Sequence, residues 1–145
     1  MIPNKIILHH SLTKDSKTDS WGTIRDYHVG MLGYRDIGYH FGIELVGSYY
    51  ETLMGRSPLE DGAHTIGQNN SGIGICFVGN FDVDEVPPGQ WQAGIRLVRW
   101  LMTTYHIKAA DIYGHRDFAS YKSCPGAKFD IDLFRLNMLT WDDSR

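Results

Sequence analysis

The sequence contains no run of lysine and arginine and no block of a single charge sign. Its 14 basic and 17 acidic residues leave a formal charge of −3, and the aromatic residues are not interleaved with basic ones. A nucleic-acid footprint is therefore missing, and an anionic polymer would have to be held by a local site rather than by the overall field. Long apolar runs are missing as well. Ile6-Ile7-Leu8 is too short for a signal-peptide core, and no segment approaches the roughly 20 residues that cross a bilayer. The expectation is a protein that stays in the cytoplasm of the producing cell until released, with neither nucleic acid nor membrane as a partner. Cysteine is scarce: Cys76 and Cys124 sit in different contexts, which speaks against a disulfide framework.

What is present fits one globular domain over residues 1–145, with 42% hydrophobic and 21% charged residues and no repeat, linker or low-complexity segment. Lys5 to Leu8 suits a buried strand. Thr13 to Asp19 reads as a polar loop, after which Asp19 or Ser20 caps a helix through Trp21, Ile24, Tyr27 and His28. Tyr39 to Val46 alternates as a strand, and Gly47-Ser48 turns it into a second strand at Tyr49 to Thr52. Residues 55 to 72 form a long loop, of the kind that is usually functional in a compact domain. Ile73 to Val78 is a central strand. Pro87-Pro88 opens a helix with Trp91, Ile95, Val98, Leu101, Met102 and Tyr105 as its apolar stripe. Ile112-Tyr113 is a short strand, 114 to 128 is irregular, and Asp130 to Leu139 is a last helix burying Leu133, Phe134 and Leu136. The four tryptophans, Trp21, Trp91, Trp100 and Trp141, are assigned to core and rim packing. The fold class is α/β, a central mixed sheet flanked by helices.

Seven histidines are a generous count. His9 and His10 end the first strand, where neighbours point to opposite faces, so one of the pair faces any given site. His115 and Cys124 share the segment Gly114-His115-Arg116-Asp117 to Ser123-Cys124-Pro125-Gly126. Imidazole and thiolate suit Zn²⁺, and three protein ligands leave a fourth position open. Spacing alone favours ordinary surface or core histidines over a metal site, because His-x8-Cys is no zinc-knuckle pattern. The helical His-Glu-x-x-His motif of metalloproteases is absent.

The neighbouring residues are more specific. Ile6-Ile7-Leu8-His9-His10-Ser11 resembles the opening strand of zinc amidases that comprise phage N-acetylmuramoyl-L-alanine amidases and animal peptidoglycan recognition proteins. Asp36-Ile37-Gly38-Tyr39-His40-Phe41, Gly62-Ala63-His64-Thr65-Ile66-Gly67-Gln68-Asn69 with Ile73 to Phe81, Gly114-His115-Arg116-Asp117 and Ser123-Cys124-Pro125-Gly126 are similar to four further blocks in the family's order. The resemblance covers roughly residues 5 to 135 and is greatest for compact phage-type amidases.

The resemblance implies an amidase-like fold and one Zn²⁺ held by His9, His115 and Cys124. It implies Tyr39 and Lys122 as catalytic residues, the lysine being the phage-type choice where other branches often have threonine. His64 and Asn69 match a loop lining the substrate groove. The implied reaction is hydrolysis of the amide between N-acetylmuramic acid and L-alanine in peptidoglycan, by a monomer acting on glycan strands with stem peptides. Gly72 departs from the family, whose members usually have serine there. A binding protein without catalysis, a regulatory protein and a structural zinc protein are the rival readings. Non-catalytic relatives typically lack the zinc cysteine, which is present here, and three ligands leave a metal open rather than closed. Of the remaining candidates, Cys76, His10, His28, His40 and His106 are read as structural, and Arg116 and Asp117 as pairing or orienting their loop.

Overall fold

The computed structural model describes residues 1–13 and 20–139. It contains β1 (Lys5–His10), α1 (Ser20–Asp26) continuing into a π-helical turn (Tyr27–Met31), β2 (Phe41–Val46), β3 (Tyr49–Met54) and β4 (Gly72–Phe77). These are followed by α2 (Pro88–Tyr105), β5 (Ile112–Gly114) and α3 (Ile131–Leu139), with 3₁₀ turns at Ala109–Asp111 and His115–Asp117. The strands form one sheet in the order β3-β2-β4-β1-β5. β2 and β3 are an antiparallel hairpin around Gly47, whose φ of +64° suits the tight turn, and the remaining pairs are parallel. The architecture is the expected α/β mixed sheet.

Register explains why the two faces differ. His9 pairs with Cys76 and Ile7 with Gly74 across β1 and β4, while Leu8 pairs with Ile75 and Ile6 with Ile73. Side chains alternate between faces, so Ile6, Leu8, Ile73, Ile75 and Phe77 share one face with Phe41 and Ile43 of β2. All seven are buried, and α2 and α3 close over them through Ile95, Val98, Leu101, Ile131, Phe134 and Met138. Burying each large side chain contributes about 1.5–3 kcal/mol. Gln90, also buried, donates from Nε2 to the carbonyls of Ile43 (2.9 Å) and Val78 (3.0 Å), fixing the first turn of α2 to the sheet.

The opposite face carries Gly42, Gly72 and Gly74 between Ile7, His9 and Cys76. With no Cβ in the way, other elements lie directly on the backbone. The Trp21 ring covers Gly42, where a Cβ would stand 2.3 Å from it, and the His64 ring covers Gly74, where a Cβ would stand 2.6 Å away. The Trp21 backbone N–H donates to Glu44 Oε2 (2.9 Å), which anchors the start of α1. The 55–71 loop is held down by the buried Arg56, which donates to the carbonyls of Ile37 (2.9 Å) and Asp61 (2.9 Å).

Several expectations need correction. Leu133 and Leu136 are 45% and 51% exposed, and α3 buries Ile131, Phe134 and Met138 instead, a stripe turned by one position. Of the tryptophans assigned to core and rim, Trp91 packs against Phe129 and Phe134, and Trp100 is 55% exposed. β2 begins at Phe41, so Tyr39 and His40 precede the strand. Asp19, the rest of 14–19 and Trp141 lie outside the described residues. Among those described, no helix is long and apolar enough to cross a membrane.

Gly74→Ala should destabilise the protein by about 1–3 kcal/mol, as overpacking typically does, because the His64 ring is fixed from both sides. Gly30→Ala, with nothing within 4 Å of the added carbon, should be neutral or stabilising. Urea unfolding of the two variants checks the contrast; equal midpoints would show that the glycine face is not required.

Candidate metal centre

In parallel sheets, ligand sites form beyond the carboxyl ends of the strands. Here β1 ends at His9 and His10, β5 runs into His115, and the 3₁₀ turn after it leads to Cys124. Potential ligand atoms of His9, His115 and Cys124 all lie within 4.8 Å of one another. His9 Nδ1 is 3.7 Å from Cys124 Sγ. A tetrahedral zinc with ordinary bond lengths places nitrogen and sulfur about 3.6 Å apart, so the donor set fits that ion in both chemistry and reach.

Each ligand is positioned by backbone. The His10 N–H points at Cys124 Sγ (3.4 Å), and the Arg116 N–H donates to the Cys124 carbonyl (2.8 Å). Arg116 and Asp117 do not pair with each other. The guanidinium donates to the carbonyls of Gly126 (2.7 Å) and Phe129 (3.0 Å), and Asp117 Oδ2 accepts the Gly114 N–H (2.9 Å). Both therefore orient the segment that carries His115 and Cys124. His10 points to the other face, where its Nδ1 accepts the Phe81 N–H (3.2 Å).

A groove of about 1020 Å³ opens over the triad, with Tyr39, His64 and Lys122 on its walls and Leu12, Tyr27 and Tyr121 near its rim. The Tyr39 ring is tilted against that of His9, with 5.1 Å between centroids, and its hydroxyl lies near the Cys76 thiol. Burial holds that hydroxyl well above its ordinary pKa, so it remains a hydrogen-bond donor. Cys76 is fully buried, as expected, and burial keeps it a thiol; its contact with Tyr39 was not legible beforehand. His28 also lines the groove and accepts the Gly38 N–H (2.9 Å), securing the residue before Tyr39. His40 is fully buried between the Glu60 carbonyl (2.8 Å) and the Gly74 N–H (3.0 Å). His106, exposed, ends α2 in a left-handed conformation.

The loop residues divide. His64 sits in the groove wall, 3.0 Å from His9. Asn69 does not line the groove: its Oδ1 accepts the backbone N–H groups of His64 (2.7 Å) and Thr65 (2.9 Å). Thr65, which no sequence argument singled out, is buried with Oγ1 2.9 Å from His64 Nδ1 and 3.3 Å from His9 Nε2.

The sequence model of the N-acetylmuramoyl-L-alanine amidase family matches residues 1–127. The chain belongs to this amidase family. It is 34% identical over 131 residues to an endolysin of Enterobacteria phage T3, covering 87% of this chain and 81% of that protein. It is 35% identical over 143 residues to a peptidoglycan recognition protein of Trichoplusia ni, covering 94% and 74% of the two. A solved N-acetylmuramoyl-L-alanine amidase, LysC of Clostridium intestinale, superposes with a TM-score of 0.82 at 29% identity, covering 97% of this chain and 87% of that one. The Drosophila recognition protein PGRP-LB, solved as a tyrosine-to-phenylalanine mutant in complex with tracheal cytotoxin, superposes at 0.77 and 26% identity, covering 91% and 79%. This amidase fold thus places its three clustered donors at the head of the sheet, under the groove.

Electrostatics prepares the cluster to receive a cation. Burial, with help from neighbouring His64, His115, His10 and Lys122, holds the His9 imidazole well below 6.5. Burial and Lys122 push His115 down to about 4, and burial pushes His64 down to about 3. All three are neutral at pH 7, with a lone pair free. Burial pushes the Cys124 thiol up to about 11, offset in part by the His10 N–H and Lys122. In the metal-free chain the sulfur therefore keeps its proton.

The same depressed values set a pH dependence. Between pH 6.5 and about 4 the unfolded chain binds protons on these histidines that the folded chain refuses, so stability must fall as pH falls through that window. Urea midpoints of the metal-free protein at pH 7.5 and 4.5 should show the loss, and His115→Gln should reduce it. An unchanged slope in that variant would contradict the assigned burial.

Proposed function

We propose that this chain is a zinc-dependent hydrolase of the amide bond between N-acetylmuramic acid and L-alanine in peptidoglycan. The observation that supports this best is the convergence of His9, His115 and Cys124 at the floor of a groove walled by Tyr39 and Lys122. His9, His115 and Cys124 would hold the metal, leaving one position open toward the groove. A bound Zn²⁺ supplies Lewis acidity, activating water near neutral pH and polarising the scissile carbonyl. One thiolate among three ligands leaves the centre a net charge of +1.

The protein's own residues account for the rest. The Tyr39 hydroxyl, held protonated by burial, donates a hydrogen bond toward the oxygen that gains charge as the amide is attacked. The Lys122 ammonium, on the same groove wall, adds a positive charge there. A preorganised donor of this kind contributes about 3 kcal/mol to the transition state. Asn69 acts through the loop it braces, and the groove receives glycan and stem peptide. Related proteins named for recognition rather than hydrolysis make a purely binding role the second reading, and Cys124, completing the donor set, disfavours it. We place the action of the monomer on the cell wall after release from the producing cell.

Metal analysis should find one zinc per chain, lost in His115→Ala and Cys124→Ala and kept in His10→Ala and Cys76→Ala. Because the histidines are already neutral and only Cys124 must ionise, loading at pH 7.5 should release about one proton per zinc, measured by calorimetry in buffers of different ionisation heat. Release of two or three would show the histidines to be protonated beforehand.

On purified sacculi the protein should free stem peptides with L-alanine amino termini, generate no new reducing sugar ends, and stop when zinc is chelated. Tyr39→Phe and Lys122→Ala should retain zinc and fold yet lower kcat about 10²-fold or more, with a much smaller change in KM. A near-normal kcat with raised KM would make both residues substrate clamps, and new reducing ends would identify a glycosidase.

A further inference from the structure

The His64 ring packs between Gly62 and Gly74, where added Cβ atoms would stand 2.5 Å and 2.6 Å from it. Its Nε2 lies 3.0 Å from the Gly72 carbonyl oxygen. A carbonyl only accepts, so the single proton of the neutral ring must be on Nε2. Nδ1 is then a lone pair, and two groups face it: His9 Nε2 at 3.0 Å and Thr65 Oγ1 at 2.9 Å. Thr65 Oγ1 is also 3.3 Å from His9 Nε2. Whether His9 donates straight to His64 or shares its proton with the threonine, which then donates onward, the His9 proton resides on Nε2. That leaves His9 Nδ1, the atom 3.7 Å from Cys124 Sγ, with its lone pair toward the metal position.

We infer that His64 is a positioning residue for the metal: anchored on the Gly72 carbonyl, it fixes His9 as the Nε2–H tautomer and presents Nδ1 as the ligand atom. The chain of polarity runs from the main-chain oxygen of β4 through two imidazoles to the ligand, which orients the ring and makes Nδ1 more basic. Outer groups of this kind typically change metal affinity 10- to 100-fold. This assigns His64 a task different from contacting substrate. It also gives the backbone at position 72 a role that does not depend on which residue stands there, because the acceptor is the main-chain carbonyl oxygen.

The inference rests on the zinc reading above, so the test begins with the wild type. Long-range ¹H–¹⁵N correlation spectra of the imidazoles, in metal-free and zinc-loaded protein, should show His9 protonated at Nε2 in both states and metal-bound through Nδ1 in the second. His64→Phe, which fills the same space without an acceptor, should weaken zinc binding about 10- to 100-fold in competition with a chelator. The metal-free variant should show a mixture of His9 tautomers. His64→Asn, whose Oδ1 stands in for Nδ1, should recover most of the affinity, which a purely space-filling role would not do. A wild type with His9 protonated at Nδ1 overturns the proposal without any variant. So does a His64→Phe protein that keeps wild-type affinity, or one that keeps affinity and only raises KM. Failure of the wild type to bind zinc would instead remove the functional reading itself.

Discussion

Glycines at 42, 72 and 74 leave bare backbone on one side of the sheet, opposite a side filled by isoleucine and phenylalanine. The site depends on that asymmetry. Because nothing projects from Gly74, the His64 ring descends to within bonding distance of His9, and because nothing projects from Gly42, Trp21 lies flat and brings α1 to the groove. Side chains on these strands would lift both elements, and the groove would lose a wall. The packed face supplies the stability; the bare face supplies the room.

The donor cluster is a second consequence of the same construction. Three histidines, His9, His10 and His40, are buried together with two cysteines, with His64 half-buried beside them, yet no carboxylate among the described residues joins the donor group. Buried charge without a partner is costly, so these groups stay neutral, and many of their hydrogen bonds are made to main-chain N–H and C=O groups. Glu60 contributes its carbonyl, Gly74 its N–H, Gly72 its carbonyl and His10 its N–H. Such a neutral, directed cluster is suited to a cation, and the ligand atoms are already near the right separation.

Much of this was legible in the chain itself, and the parts that were not share a cause. β1, the β2–β3 hairpin, β4 and α2 carry strong local patterns, and the structure brings His9, His115 and Cys124 together as their motifs implied. What escaped was anything decided by rotation or by distant packing. α3 has apolar residues on nearly every side, so only its neighbours choose Ile131 and Met138 over Leu133 and Leu136. Arg56, Thr65 and the Cys76–Tyr39 contact are settled by where the long loop and the Tyr39 segment come down on the sheet, which no local pattern encodes. Asn69 matched a groove-lining position, yet its side chain turns inward to brace the loop that carries His64.

The register of β1 has a consequence for how the protein comes into being. That strand lies between β4 and β5, pairing Lys5 with Gly72 on one side and Ile6 with Ile112 on the other. A chain leaving the ribosome makes this strand long before either partner exists, and pairings so distant in sequence form slowly. His9 is synthesised early and waits for His115 and Cys124, which emerge only after β4 and α2. Half of the sheet cannot gather the three donors, so the cluster assembles late, as a result of completing the fold.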